Sequence, residues 1–133
     1  MGILDRIKNA FSGDDTKADF WNQLTEEGQV EQVIAQSKSK PQLIYKHSAR
    51  CSVCWFAKSE LENVADEMGP QADMNFVDVI NSRNVSNKLA EVLNIRHESP
   101  QAILIKNGEA VWHESHGAIK GAKVLEQFLN VAR

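Results

Sequence analysis

The stretch Gln42-Leu-Ile-Tyr-Lys-His-Ser-Ala-Arg-Cys-Ser-Val-Cys54 joins a short apolar run to two cysteines that are separated by two residues. The run at 43–45 is typical of a buried strand. After the cysteines, apolar residues recur at helical spacing until Gly69-Pro70, a pair that ends a helix. The stretch therefore predicts a strand leading into a helix, with the C-x-x-C pair at the junction. The apolar positions of that helix are Val53, Phe56, Ala57, Leu61, Val64 and Met68.

The neighbouring elements follow from the same kinds of pattern. An upstream helix uses Val30, Val33 and Ile34 as its buried face and ends before Pro41. Downstream, Asn107-Gly108 between two apolar runs is the strongest local signal for a β-hairpin. The predicted downstream elements are a strand at 74–80, a helix at 82–94 through Val85, Leu89, Val92 and Leu93, strands at 101–106 and 110–114, and a last helix from about Ala118 that buries Val124, Leu125, Phe128 and Leu129.

After the upstream helix, the element order is therefore β-α-β-α-β-β-α. Two strands joined by a helix are expected to be parallel with a right-handed crossover, and the two strands of a hairpin are antiparallel. The predicted fold class is α/β, with a central mixed four-stranded sheet and helices on both of its faces.

The first twenty residues are predicted to lie outside this domain, which is expected to span 21–133. Residues 1–11 have the pattern of a short amphipathic helix, and residues 12–17 are a polar linker. A helix this short is marginal in water, so we expect it to dock on its own domain or to fray. A partner surface and a membrane surface are the alternatives.

Composition limits the class of protein. With 133 residues the chain is long enough to bury a core without disulfides, so a disulfide-stapled miniprotein is excluded. The net charge of −3, from 15 basic and 18 acidic residues, offers no cationic stripe for nucleic acid. No apolar run suits a membrane span or a secretory signal. We therefore expect a cytoplasmic protein, in which two cysteines are more often catalytic or metal-binding than structural.

The place of Cys51 at the start of a helix favours its thiolate, the form that attacks disulfides. Unpaired backbone N–H groups and the positive end of the helix dipole face a sulfur at that position. Arg50, Lys46 and a protonated His47 would add positive charge nearby. Cys54 lies one turn deeper on the same helical face, so it is predicted to be the more covered, resolving thiol that releases a mixed disulfide.

Two other interpretations of the C-x-x-C pair are a zinc site and a pair of inert core cysteines. A structural zinc site needs four ligands, and the chain has no third cysteine. Redox chemistry is favoured because the pair lies at a strand-to-helix junction, and neither a metal nor another cofactor is expected. The histidines, which form no second cluster with metal-ligand spacing, are His47, His97, His113 and His116.

A second feature is Ser99-Pro100, immediately before the third strand. A proline there is either an ordinary strand-start residue or a cis-proline. A cis-proline loop beside the nucleophile would leave the backbone of Ser99 free to pair with an extended substrate. Trp55, directly after the second cysteine, either belongs to a substrate surface or packs on the first segment, and packing is favoured. Trp112 and Phe56 are predicted to be core residues.

The architecture and the place of the C-x-x-C pair resemble the thioredoxin superfamily, as does the segment 105–109 with Gly117 and the helix after it. A closer resemblance is to the YtxJ-like bacilliredoxin family of the bacillithiol system, over about residues 21–133. The segments that carry it are Lys46-His47-Ser48, Asp78-Val79-Ile80, Arg83 with Val85-Ser86, His97-Glu98-Ser99-Pro100-Gln101, Val111-Trp112-His113 and Ser115-His116.

This resemblance implies a thioredoxin-like fold, a cis peptide at Ser99-Pro100, and the removal of bacillithiol from S-thiolated proteins as a mixed disulfide on Cys51. Two departures stand out. Members of the family carry one active-site cysteine, with a small residue three positions later, whereas Cys54 makes this chain a dithiol variant able to form an internal disulfide. Thioredoxins keep a buried aspartate six residues before the first cysteine, where this chain has Tyr45, and His47 is the nearest substitute.

The sequence therefore predicts a cytosolic thiol-disulfide oxidoreductase that reduces protein disulfides or S-thiolated proteins. Its expected partners are such client proteins, a low-molecular-weight thiol such as bacillithiol, and a reductase, with neither nucleic acid nor a membrane, and the protein is expected to be a monomer. The alternative is a non-catalytic, redox-responsive or structural interaction module that holds a partner with its N-terminal helix. The expected catalytic residues are Cys51, Cys54, Arg50 and His47, and the expected substrate-binding residues are Ser99, Pro100 and Trp55.

Overall fold

The computed structural model describes residues 20–132, so the predicted N-terminal helix at 1–11 and linker at 12–17 lie outside it. Two 3-10 turns, Gly69–Gln71 and His116–Ala118, follow the second helix and the fifth strand. The strands and helices of the described chain are β1 (Asn22–Gln23), α1 (Gly28–Gln36), β2 (Gln42–His47), α2 (Ser52–Met68), β3 (Asp73–Asp78), α3 (Arg83–Leu93), β4 (Gln101–Lys106), β5 (Glu109–Ser115) and α4 (Gly121–Ala132).

The five strands form one mixed sheet in the order β1-β3-β2-β4-β5. β3 is parallel to both β1 and β2, and β4 is antiparallel to both β2 and β5. The predicted pairings are confirmed, but the prediction of four strands is one too few. The additional strand, Asn22–Gln23, consists of two exposed polar residues, so no apolar alternation marks it in the sequence.

The predicted hairpin at Asn107-Gly108 is confirmed. These two residues connect β4 to β5, and both have a positive φ, 54° and 83°. A two-residue loop of this kind matches the twist of the flanking strands, and asparagine and glycine adopt its backbone conformation at little cost. The hairpin places β5 beside β4, at the edge of the sheet opposite β1.

The sheet separates two apolar layers. On one face β2 presents Leu43 and Tyr45 to a core that includes residues of α2 and α4. On the other face it presents Ile44 to a core that includes residues of α1 and α3. All six residues of β2 are buried, so this central strand joins the two layers. Its carboxyl end lies next to the short connection that leads into α2.

The buried face of α2 differs in part from the predicted one. Ala57 and Leu61 are buried as expected, but Phe56 is 74% exposed, so the prediction that it is a core residue is wrong. The buried stripe of α2 instead begins at Cys54, and Val53 and Phe56 lie beside it, facing an open cleft. Trp112 is partly buried and packs against the core, as predicted. The other predicted core residues that are about half exposed are Val92 and Leu129.

None of the described helices is long and apolar enough to span a membrane.

The contact between α4 and α2 depends on a residue without a side chain. A Cβ added at Gly121, the first residue of α4, would lie 2.6 Å from the backbone oxygen of Glu60. We therefore expect Gly121→Ala to lower the free energy of unfolding by about 1–3 kcal/mol, the range for an overpacked core. Urea denaturation measures this change.

Gly28→Ala is the matched control, because Gly28 is the first residue of α1 and an added Cβ would have nothing within 4 Å. This substitution should leave the stability unchanged or raise it slightly. Equal losses of unfolding free energy in the Gly121→Ala and Gly28→Ala variants would contradict the close packing of α4 on α2.

Candidate active site

Cys51 is the N-cap residue of α2, with an extended backbone (φ −115°, ψ 120°), and its thiol is partly exposed. The backbone N–H of Cys54, the thiol of Cys54 and the N–H of Val53 all stabilise its thiolate, so the pKa of Cys51 is lowered. The N–H groups of a helix's first turn have no acceptor one turn back, although the N–H of Cys54 also donates to the backbone oxygen of Cys51 at 3.2 Å. The start of α2 therefore supplies the groups that favour the reactive form of this cysteine.

Cys54 lies in the first turn of α2 and is fully buried. Burial raises the pKa of its thiol, and two hydrogen-bonding groups oppose this effect in part. The N–H of Ser48 donates to Cys54 Sγ at 3.4 Å, and Ser99 Oγ lies 3.6 Å from the same sulfur. Two thiols in one helical turn thus differ in both exposure and acidity.

Tyr45 connects β2 to this turn. Its Oη lies 2.5 Å from the backbone oxygen of Cys54 and 3.0 Å from His47 Nδ1. The carbonyl can only accept, so the single hydroxyl proton of Tyr45 points to it, and Nδ1 of His47 donates to Tyr45 Oη. Burial raises the pKa of Tyr45 above its ordinary value. Tyr45 is therefore a neutral hydrogen-bond donor that fixes the carbonyl of Cys54.

His47 is buried against the aromatic rings of Tyr45, Trp55 and Phe76. Burial, with a smaller effect from the charge of Lys58, lowers its pKa to about 4, so the imidazole is neutral at pH 7. The prediction that His47 adds positive charge near Cys51 is therefore wrong at neutral pH. Its Nε2 is buried and has no hydrogen-bond partner among the described residues.

The remaining basic and aromatic candidates border the cysteines. Arg50 is exposed and precedes Cys51 directly. Trp55 is half exposed, its indole N–H donates to the backbone oxygen of Ala49 at 3.2 Å, and its ring meets that of His47 edge-on at 4.6 Å. Trp55 therefore packs on the loop before α2 and leaves about half of its surface to solvent, with Lys58 Nζ over its ring at 5.8 Å from the centroid.

Lys46 does not face the cysteines. It is fully buried, and its Nζ contacts the backbone oxygen of Ser86 in α3 and the ring of His97. The prediction that its charge lies beside Cys51 is wrong, because successive side chains of a strand point to opposite faces of the sheet and Lys46 follows Tyr45.

The loop before β4 reaches the buried thiol. The Ser99-Pro100 peptide bond is cis, Pro100 is buried, and Ser99 is partly buried with its hydroxyl toward Cys54. The backbone oxygen of Pro100 accepts a hydrogen bond from the N–H of His116 at 2.9 Å. No hydrogen bond between described residues uses the backbone N–H or C=O of Ser99.

An apolar surface adjoins Cys51. Val53 and Phe56 line a cleft of about 180 Å³ between the beginning of α2 and the segment 116–120, and Glu60 and Lys120 place charges at it. Val53 and Phe56, together with the half-exposed Trp55, place three exposed apolar side chains next to the cysteines. This surface suits a polypeptide with an apolar side chain.

Sequence reasoning missed two contacts of the site. The sequence singles out Tyr45 only as the replacement of an aspartate, and Ser48 only as part of a family segment, but each makes a direct hydrogen bond to Cys54. Neither contact leaves a sequence signal, because the first depends on how β2 packs beside α2 and the second on how Ser48 folds back on the first turn of α2. Within residues 20–132, no three His, Cys, Asp or Glu side chains cluster as metal ligands.

Comparison with known proteins identifies both a family and a fold. The family model for the monothiol bacilliredoxin BrxC matches residues 22–124. A solved structure described as a candidate oxidoreductase with a thioredoxin fold is 29% identical, covers 85% of this chain and 97% of its own, and has a TM-score of 0.75. A thioredoxin from Fasciola hepatica is 20% identical over 82% of this chain and 97% of its own, with a TM-score of 0.67. Mitochondrial thioredoxin 3 from Saccharomyces cerevisiae is 16% identical over 86% of this chain and 98% of its own, with a TM-score of 0.69. The predicted thioredoxin-like fold is confirmed.

The buried imidazole of His47 predicts a loss of stability in acid. Between its unfolded pKa of 6.5 and its folded pKa of about 4, the unfolded chain binds a proton that the folded chain does not bind. The free energy of unfolding should therefore fall by about 2 kcal/mol between about pH 7 and about pH 4.5 from this group. His47→Asn should remove this contribution to the dependence of the unfolding free energy on pH. His113→Asn, at an exposed position of β5, should keep it. Urea denaturation at several pH values measures the slopes, and identical slopes for wild type and His47→Asn would refute the prediction.

The groups around Cys51 predict its reactivity. The Cys54→Ser variant has one thiol, Cys51. We expect the rate of its alkylation by iodoacetamide to reach half of the maximum at a pH well below ~8.5, the ordinary pKa of a thiol. Cys54→Ala removes the side-chain donor but keeps the backbone N–H, so its midpoint should lie above that of Cys54→Ser and below that of the urea-unfolded chain. Coincident midpoints for folded and unfolded protein would show that the helix start does not activate Cys51.

Proposed function

Because the chain belongs to the BrxC family of monothiol bacilliredoxins, we propose that it is a thiol-disulfide oxidoreductase in which Cys51 is the nucleophile and Cys54 the resolving thiol. The family and the fold support a thiol redox role. The observation that carries the two-cysteine assignment is the inequality of the thiols. Cys51 is partly exposed and its pKa is lowered, whereas Cys54, one turn on, is buried and its pKa is raised.

In the first step, the Cys51 thiolate attacks a disulfide that joins a client protein to a low-molecular-weight thiol. The attacked bond breaks, a mixed disulfide forms on Cys51, and the client cysteine leaves as a thiolate that takes up a proton. Only the thiolate attacks. The N–H groups at the start of α2 support this step, because they raise the thiolate fraction of Cys51 at neutral pH. Arg50, exposed and directly before Cys51 in the chain, is the proposed source of further positive charge near this sulfur.

In the second step, the thiolate of Cys54 attacks the sulfur of Cys51. The Cys51-Cys54 disulfide forms and the low-molecular-weight thiol leaves, so two electrons pass from the cysteine pair to the mixed disulfide of the client. The N–H of Ser48 and the hydroxyl of Ser99 support this step, because both stabilise a thiolate at Cys54. A monothiol enzyme needs an external thiol for the same release, and Cys54 replaces that thiol here.

The client is proposed to run past Ser99, whose backbone N–H and C=O are free to pair with an extended segment. The cleft beside Val53 and Phe56 then takes an apolar side chain of the client, and the exposed part of Trp55 extends this surface. The family name favours bacillithiol as the low-molecular-weight thiol. A cellular reductase or a second thiol returns the pair to its reduced state in the reducing cytoplasm.

Serine substitutions separate the two steps. Cys51→Ser should abolish the reduction of a bacillithiolated model protein, because a serine hydroxyl does not attack a disulfide at neutral pH. Cys54→Ser should complete the first step and then stop, so that the low-molecular-weight thiol stays on Cys51 as added mass in mass spectrometry. The wild-type protein should instead accumulate the Cys51-Cys54 disulfide.

Equal, partial losses of reductase activity in Cys51→Ser and Cys54→Ser would contradict this assignment of roles. Release from Cys54→Ser at the wild-type rate when bacillithiol is added would favour a monothiol mechanism, in which Cys54 is dispensable. A wild-type protein that turns over no substrate, and whose Cys51 alkylates like an ordinary cysteine, would favour the non-catalytic interaction module.

A further inference from the structure

Lys46 in the central strand is fully buried. Its Nζ donates to the backbone oxygen of Ser86 in α3 at 3.2 Å and contacts His97 Nδ1 at 3.3 Å. Within residues 20–132 it forms no ion pair with a carboxylate. Burial lowers its pKa to about 8, so it is mostly an ammonium at neutral pH. A buried charge without a counter-ion costs stability, so packing alone does not explain this residue.

The ring of His97 is oriented by this charge. An ammonium can only donate, so His97 Nδ1 accepts from Lys46 and carries no proton. Ser86 Oγ lies 3.0 Å from the same nitrogen, so the hydroxyl and the ammonium share its single lone pair. Burial and the charge of Lys46 lower the pKa of His97, which agrees with a neutral ring. Lys46 and Ser86 therefore hold His97 in one orientation against α3.

The chain after His97 is held partly by this anchor and partly by the N–H of His116, which donates to the backbone oxygen of Pro100 at 2.9 Å. The ladder between β2 and β4 ends at the pair Lys46 and Gln101, so Ser99 and Pro100 lie beyond the last paired residues. Ser99 is two residues from His97, and its hydroxyl lies 3.6 Å from Cys54 Sγ. A displacement of His97 would therefore move the hydroxyl that faces the buried thiol.

We propose that Lys46 is a positioning residue for the second step: its buried ammonium fixes His97, and His97 fixes the Ser99 hydroxyl at the sulfur of Cys54. This inference rests on the proposed function, because it assigns a support to the resolving thiol. Cys51 does not depend on this network, because the groups that stabilise its thiolate belong to α2 itself.

Lys46→Met tests the proposal, because methionine fills similar space without a charge. In single-turnover measurements we expect release of the bound thiol from Cys51 to slow by about tenfold, the effect of about one charge-assisted hydrogen bond. The rate at which a small disulfide, which needs no pairing with the backbone of Ser99, forms the mixed disulfide on Cys51 should stay unchanged. In a Cys51→Ser background, alkylation against pH should show a higher pKa for Cys54 when Lys46 is also replaced.

Gln42→Met is the matched control. Gln42 lies on the same strand and the same face as Lys46, is equally buried, and donates to Asp73 Oδ2 at 2.7 Å, but it is at the other end of β2. This substitution should lower the stability without changing the release rate or the pKa of Cys54.

A second pair of variants tests the link at His97. His97→Asn keeps an acceptor for Lys46 and should retain most of the release rate. His97→Leu has no acceptor and should slow release as much as Lys46→Met does.

Equal slowing of release by Lys46→Met and Gln42→Met would overturn the positioning role and leave the two-cysteine function intact. An unchanged pKa of Cys54 in the Lys46→Met protein would also overturn it. A wild-type protein without any release step would instead refute the proposed function. The alkylation of Cys54 in the Cys51→Ser background still decides the role of Lys46 in that case, because it needs no turnover.

Discussion

The central strand β2 is buried on both faces along its whole length, yet Gln42, Tyr45, Lys46 and His47 are polar. A buried polar group that lacks a partner costs about 1–3 kcal/mol, and among the described residues the neighbours of this strand supply partners to these side chains, with His47 Nε2 as the exception. The side chain of Gln42 bonds to β3, that of Tyr45 to α2, and that of Lys46 to α3 and to the loop before β4. The need to satisfy these groups ties the helices to the sheet, and it fixes the first turn of α2, where both cysteines lie.

Much of the fold is predictable because its signals are local. Asn107-Gly108 predicts its hairpin from two adjacent residues, although both of their N–H groups also donate to Ser37, and Gly69-Pro70 ends α2 as expected. β1 is not predictable in this way, since its two polar residues become a strand only through pairing with β3. Phe56 has helical spacing, but the phase of α2 is set by the residues that meet the sheet, and Phe56 lies beside that stripe.

The candidate site is predictable in its position and less so in its electrostatics. A cysteine that follows a strand and starts a helix is visible in the sequence, and Cys51 is indeed the N-cap residue of α2. The charge state of His47 is not visible in the sequence, because it depends on burial by Trp55 and Phe76. Phe76 is far along the chain from His47, and the position of Trp55 depends on how α2 packs. The contact of Ser99 with Cys54 likewise joins residues that are 45 positions apart.

Tyr45 in place of an aspartate changes how the second thiol can become an anion. Burial raises the pKa of Tyr45 and lowers that of His47 to about 4, so the first is bound as a donor to the Cys54 carbonyl and the second is a weak base. Neither group takes a proton from Cys54 efficiently at neutral pH. In the proposed mechanism, the thiolate therefore depends on donors fixed in advance, the N–H of Ser48 and the hydroxyl of Ser99. Such donors stabilise an anion without transferring a proton themselves, and the proton of Cys54 can pass to the thiolate that departs.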